Sequence, residues 1–344
     1  MKATVLAWGL PFLALLFLPL WVTSPYSLHI FILLFIAIAT GESWNVIGGF
    51  AGQYSVGHAA YYGLGAYGAF ILLQDKHVAP WFGVWVAVAI GAVVALAIGS
   101  ITFRLRGPYF VLASIAVAEI IRLAALNWKD LTNGAEGILA SDLPPLQLGG
   151  HLITDWNSKI PYYYMGLAMA VFCIGVNFAV KKTKLGYYLM AIREDQDAAH
   201  SLGIPLTVTK NIALIISAAC TALAGSFAAF YIGFIEPQQV FGLDVSVQMV
   251  LVAIIGGIGT VSGPLIGGVV LVLLSEALRS NLIAQGLFKI GLSETSATGA
   301  FLKENLAHAH VLIYGILVIV VILYMPEGFV GFIAARLRRK AAAK

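Results

Sequence analysis

The sequence predicts an all-α, polytopic membrane protein with about ten transmembrane helices, and three observations predict it. Of 344 residues, 60% are hydrophobic and only 10% charged, against about 25% charged in soluble domains. The apolar residues come in runs close to the roughly 20 needed to cross a bilayer. The basic residues gather in alternate connecting segments, as topology requires of cytoplasmic loops. A soluble core stops growing beyond about 250–300 residues, so this excess of apolar surface needs the lipid bilayer as its solvent. The 36 glycines agree, because Gly is frequent in membrane helices.

The candidate spans are 5–22, 28–47, 57–74, 81–103, 108–126, 162–180, 211–232, 245–258, 264–283 and 305–325. The first follows Lys2 and holds Pro11 and Pro19 without a small-x-small cleavage pattern, so a retained helix is expected rather than a signal peptide. The eighth is short. Gly256, Gly257, Gly259 and Gly263 break it from the ninth, and the pair 245–283 reads either as two spans or as a partly re-entrant element.

Charge separates those readings. Ten spans with both termini cytoplasmic place Arg104, Arg106, Lys181, Lys182, Lys184, Arg193, Lys210 and the Arg336–Lys344 tail inside. Only Lys76, Lys129, Lys159, Lys289 and Lys303 then lie outside. Nine spans would put the Arg338-Arg339-Lys340 tail outside, against the positive-inside rule. The expected organisation is one transmembrane unit over 1–344, with outer loops 127–161 and 284–304 and a cytoplasmic loop 181–210.

The net charge of +4 does not indicate nucleic-acid binding, since the basic residues sit in short loops and at the tail. Cys173 and Cys220 lie in apolar runs and are expected to be small buried hydrophobes. No HExxH, CxxC or carboxylate cluster suggests a metal, and no catalytic constellation appears. No Gly-Lys-Ser or Gly-Lys-Thr follows a glycine run, so no Walker-type ATP site is expected in the chain.

The cytoplasmic loop reads KKTKLGYYLMAIREDQDAAHSLGIPLTVTK. Residues 191–202 lack helix breakers, and Gly203 and Pro205 then stop the helix. One exposed helix is therefore expected there, either as a docking element or as a solvated linker. Asp197-Ala198-Ala199, three residues and Gly203 match the "EAA, three residues, Gly" pattern of ABC permeases, with Asp in place of Glu.

The stretch 48–68, GGFAGQYSVGHAAYYGLGAYG, contains a literal G-x-G-x-x-G at Gly63–Gly68. It lies inside a span, not between a strand and a helix, so dinucleotide binding is excluded. Ala59/Gly63 and Gly65/Ala69 have the spacing of close helix packing. Gln53, Ser55 and His58 are candidates to line a substrate path, or serve as an interfacial loop. Glu119 and Arg122 share one face of the fifth span, as substrate-path candidates or as a self-neutralising pair.

IREDQDAAHSLGI (192–204) resembles the cytoplasmic loop of branched-chain amino-acid ABC permeases, in the longer of their two permease types. RLRG (104–107), AEIIR (118–122), TNGAEGI (132–138) and VLVAIIGGIGTVSGPLIGG (250–268) resemble the same family in the same order. The resemblance runs from about 28 to 283. It implies a type II-like ABC importer fold in the bacterial inner membrane. It implies as partners a second related permease, two cytoplasmic ATPase subunits carrying ATP and Mg, and a periplasmic substrate-binding protein, with no cofactor bound by this chain. The coupling residues would be Ala191, Arg193, Glu194, Asp197, Ala198, Ala199 and Gly203. A urea or short-amide ABC permease is the nearest rival. An ion-coupled secondary transporter, with Glu119/Arg122 as relay, is the rival from another class.

Overall fold

The computed structural model describes residues 14–22, 24–74, 78–139, 147–148, 151–152 and 158–279, and short stretches between 315 and 336. Most of the first and tenth expected spans, the 284–304 loop and the basic tail lie outside the described residues. The labelled helices are α1 (Pro25–Asn45), α2 (His58–Gln74), α3 (Pro80–Thr102), α4 (Pro108–Asn127), α5 (Ile160–Lys182), α6 (Lys184–Glu194), α7 (Gln196–Ser201), α8 (Leu206–Ile232), α9 (Leu243–Gly257) and α10 (Gly263–Arg279). A five-residue π-helix, Val46–Phe50, continues α1.

Six helices among the described residues are long and apolar enough to cross a membrane. Of the four further expected spans, two lie mostly outside the described residues, and α2 and the described part of α10 have only 17 residues each, about 25 Å at 1.5 Å per residue. Pro occupies the first turn of α1, α3, α4 and α5, where its missing N–H costs no helical bond. The chain is a multi-pass membrane protein. α3 and α4 expose Trp85, Val93, Leu112 and Ile120 outward, surface that only lipid or another apolar protein can cover.

Helices α1 and α8 form the centre. On one side of α1, Phe35 stacks edge-on against Tyr163 of α5 at 5.2 Å, in a core with Ile32, Leu167 and Cys173. Both cysteines are free and buried. On the other side, α2 and α8 approach until side chains no longer fit. A Cβ on Gly65 would strike the Ala222 carbonyl, and one on Gly225 would strike that of Tyr62. Ser226 Oγ donates to the Gly65 carbonyl at 2.8 Å across this contact. Packing and inter-helix hydrogen bonds replace the hydrophobic effect here, because lipid is as apolar as the side chains.

The segments joining the spans are more ordered than loops need be. Ile138–Leu139 pairs antiparallel with Phe234–Ile235, in register Ile138↔Ile235. This ties the 127–161 connection to the end of α8. The seventh expected span began at 211, whereas α8 starts at Leu206. Pro205 precedes its first turn, and Lys210 becomes almost fully buried, its amine donating to Gln196 Oε1 at 2.8 Å.

Candidate functional site

The 181–210 segment folds as two helices rather than one. The chain breaks at Asp195, which is extended (φ −155, ψ 117) and caps α7 by accepting from the backbone N–H groups of Asp197 and Ala198, at 2.8 and 3.0 Å. Asp competes well for such N-cap positions, so absence of Gly or Pro did not guarantee continuity. Gly203 then takes φ 82, and the Ile204 N–H closes back on the Ala199 carbonyl at 3.1 Å. This is the expected glycine stop.

Burial divides the alanine pair. Ala199 is 2% exposed, packed with Ile192 and Ile204 of the same segment. Its small size serves the α6–α7 fit inside this chain. Asp197, Ala198, His200, Ser201, Leu202 and Gly203 are the exposed residues of α7 and its end. Asp197 pairs with Arg106 at 2.8 Å. Both side chains are exposed, so the pair orients more than it stabilises. Ala191 packs partly buried against the Ile192–Ala199–Ile204 cluster, and Glu194 pairs with Arg193 at 2.9 Å.

Arg193 carries the segment into the bundle. Its Nη1 donates to the Gly49 carbonyl in the π-helix at 3.1 Å. Gly52, at φ 66, lies beside it, so that a Cβ there would meet Arg193 Cγ at 2.8 Å. The α9–α10 turn joins the same junction. Asn45 accepts from the Gly259 N–H at 2.9 Å and donates to the Thr260 carbonyl at 3.0 Å. Asn177 of α5 accepts from Asn45 at 3.3 Å and donates to the Glu42 carbonyl at 2.8 Å.

The four break glycines act as expected of a tight hairpin. Gly257 and Gly259 take positive φ. Gly256 and Gly263 sit where a Cβ would strike backbone of the facing helix. Glu42, Asn45 and Asn177 were not singled out from sequence. The available signal was a polar or ionisable residue within an otherwise apolar span. Glu42 is fully buried, and its carboxylate oxygens have no hydrogen-bond partner among the described residues.

Gln53, Ser55 and His58 are buried and hydrogen-bonded within the chain. His58 Nε2 lies 2.7 Å from Ser217 Oγ and its Nδ1 3.0 Å from Ser55 Oγ. Ser217 Oγ donates to the Ser43 carbonyl at 2.6 Å, and Trp44 Nε1 to that of Ser55 at 2.6 Å. Gln53 Nε2 donates to the Ala51 carbonyl at 3.2 Å. The group braces loop 51–57 against α1 and α8. The void beside Ser55 measures about 10 Å³, the space of about one water.

Glu119 and Arg122 pair at 2.6 Å, and Arg122 also donates to Gln238. They line a polar cleft of about 590 Å³ with Glu236, Gln239 and Asp244, at the end of the bundle away from α6 and α7. The pair is therefore neutralised on an open wall. Arg122 joins α4 to the one-turn helix Pro237–Val240.

A family model described as "branched-chain amino acid transport system / permease component" matches residues 26–322. The high-affinity branched-chain amino acid transport system permease protein LivM of Salmonella typhimurium is 28% identical over 283 residues, 75% of this chain and 65% of that protein. LivM of Escherichia coli is 28% identical over 281 residues, with the same coverage. The corresponding LivH of Escherichia coli is 24% identical over 251 residues, 69% of this chain and 79% of its own length. The chain thus spans about 65% of the LivM relatives. No solved structure matches it. On the match across 26–322, the chain belongs to the permease-component family of branched-chain amino acid transport systems.

Proposed function

We propose that the chain is the transmembrane permease subunit of an ATP-driven ABC importer for branched-chain amino acids, with other neutral amino acids as secondary substrates. One observation carries the reading: a family match over nearly all the spans, in a chain whose exposed α6–α7 segment is hydrogen-bonded by Arg193 to the middle of the bundle. The names of the LivM and LivH relatives support the substrate class.

The full arrangement has ten spans in the bacterial inner membrane and both termini in the cytoplasm, with 1–344 as one permease domain. The 181–210 loop faces two cytoplasmic ATPase subunits, which bind ATP and Mg. The 127–161 and 284–304 loops face a periplasmic binding protein. A second, related permease completes the pore. This chain performs no hydrolysis. Its part is to change which side of the membrane the substrate reaches.

The junction geometry supplies a route for that change. Movement of α7 by an ATPase carries α6 with it, because Ala199 and Ile192 are packed as one unit. Arg193 then pulls on the π-helix at Gly49, and Asn45 couples that backbone to the α9–α10 turn. Both targets are interrupted helices, which yield more readily than regular ones.

The test is uptake by cells or proteoliposomes carrying the whole transporter. Leucine, isoleucine and valine uptake should stop without ATP and survive collapse of the proton gradient at clamped ATP. Uptake that follows the proton gradient without any ATPase, or competition by urea but not leucine, would reject the reading.

A further inference from the structure

We propose that a second cavity, separate from the polar cleft, is the chamber that receives a single branched aliphatic amino acid. The inference rests on the reading of the chain as an amino-acid permease. The cavity measures about 240 Å³ and lies between α1, α2, α8, α9 and α10. That is below the roughly 300–1,000 Å³ of drug-sized pockets and suits one small metabolite.

Its lining has two characters. Ile36, Val252, Leu271 and Val272 give an aliphatic wall. Thr40 adds to it, because its hydroxyl is spent on the Ile36 and Ala37 carbonyls of its own helix, at 2.9 and 3.1 Å. Gln239, Gln248, Ser275 and Glu276 supply the polar part. Glu276 is the only carboxylate among the described lining residues, and Tyr26 Oη is one of the groups that hold it, at 2.5 Å. A carboxylate attracts an ammonium group, amide N–H groups receive a carboxylate, and the aliphatic wall excludes polar side chains. Together these read a neutral amino acid with a branched apolar side chain.

The cavity lies between the polar cleft and the coupling junction. Gln239, in the one-turn helix Pro237–Val240, lines both this cavity and the cleft that holds Arg122. The short helix is the partition between them. At the opposite end the cavity stops where α1, α9 and α10 converge on glycines. A Cβ on Gly41 would strike the Val252 side chain, and one on Gly267 the Val252 carbonyl. These contacts lead down to the α9–α10 turn held by Asn45. The floor of the chamber and the coupling junction thus belong to the same pair of helices.

The experiment uses the complete transporter and measures uptake of leucine, valine and phenylalanine. Ala37→Trp and Ser275→Trp place bulk in the cavity from two helices, at positions that are not fully buried. Each should lower leucine uptake at least about fivefold, the low end of what overpacking a fitted site costs, at normal abundance and with the ATPase still co-purifying. Ala89→Trp on exposed α3 should leave uptake unchanged. Val272→Ala enlarges the cavity and should raise phenylalanine uptake relative to valine. That arm decides alone if the tryptophan variants fail to accumulate. An unchanged phenylalanine-to-valine ratio in Val272→Ala overturns the proposal, as does normal leucine uptake by both tryptophan variants. If the wild-type transporter does not import leucine with ATP, it is the permease reading that fails.

Discussion

Arg193 Nη1 donates a hydrogen bond to the Gly49 carbonyl across 144 positions of sequence. The bond joins the amphipathic helix α6, at its exposed end, to a π-helix buried among the spans. Its acceptor is not committed to a regular α-helical ladder. Movement of the guanidinium is therefore movement of that backbone.

This bond separates docking from transport. Arg193→Ala should retain the ATPase on purification yet lose most uptake. Arg193→Lys should keep only part, because an ammonium cannot reproduce the planar donor set that also engages Glu194. Full uptake by Arg193→Ala would remove the junction from the mechanism.

The two neighbouring alanines should respond differently to bulk. Ala198→Trp, at an exposed position, should weaken ATPase association while leaving α6–α7 packed. Overpacking a fitted contact costs about 1–3 kcal/mol, roughly 5- to 150-fold in association. Ala199→Trp strikes the internal contact with Ile192 and Ile204, so it should also increase proteolysis of the 181–210 loop. Equal protease sensitivity in the two variants would contradict the burial difference. Gly203→Val should resemble Ala199→Trp, since φ 82 is hostile to a β-branched residue.

Helix contacts at backbone distance give a stability test. Gly65→Leu must displace α8 from α2, because the Ala222 carbonyl occupies the space. The solubilised protein should lose several degrees of thermal stability. Gly175→Ala in α5 meets no atom within 4 Å and should be neutral or stabilising by up to about 1 kcal/mol. A Gly65→Leu protein as stable as Gly175→Ala would refute the close α2–α8 approach.

His58 tests whether buried polarity is brace or path. His58→Ala removes one hydrogen-bond partner each from Ser55 and Ser217 and should cost about 0.5–1.5 kcal/mol per lost bond. The leucine KM of the protein that remains folded should not change. A raised KM at unaltered stability would return His58 to the substrate path.

Orientation is checked from outside the cell. A cysteine at Ser141 or Lys303 should react with an impermeant thiol reagent in intact cells, and one at Lys340 should not. Reaction at 340 would sink the ten-span arrangement with both termini inside.

The sequence by itself determined the solvent, the helical class and most of the span positions. A run of apolar residues of bilayer length can satisfy its backbone only within itself, so run length and helix are nearly one statement. Gly203 and the Gly256–Gly263 hairpin were legible for the same local reason, since positive φ and backbone contact both select glycine. Family membership was legible in the order of short motifs. The break at Asp195 was not, because an aspartate reads equally as a helix residue and as a cap until neighbouring N–H groups are placed. Which alanine of the pair faces inward depends on Ile192 and Ile204 meeting around it. For Gln53, Ser55 and His58 the sequence shows polarity alone, and that Ser217, in a different span, lies against His58 is decided by packing. The Arg193–Gly49 bond and the cavity walls join residues far apart in sequence. Only the packing of α6 against the π-helix, and of α1, α2, α8, α9 and α10 around the cavity, brings them together, and no local pattern encodes such a distance.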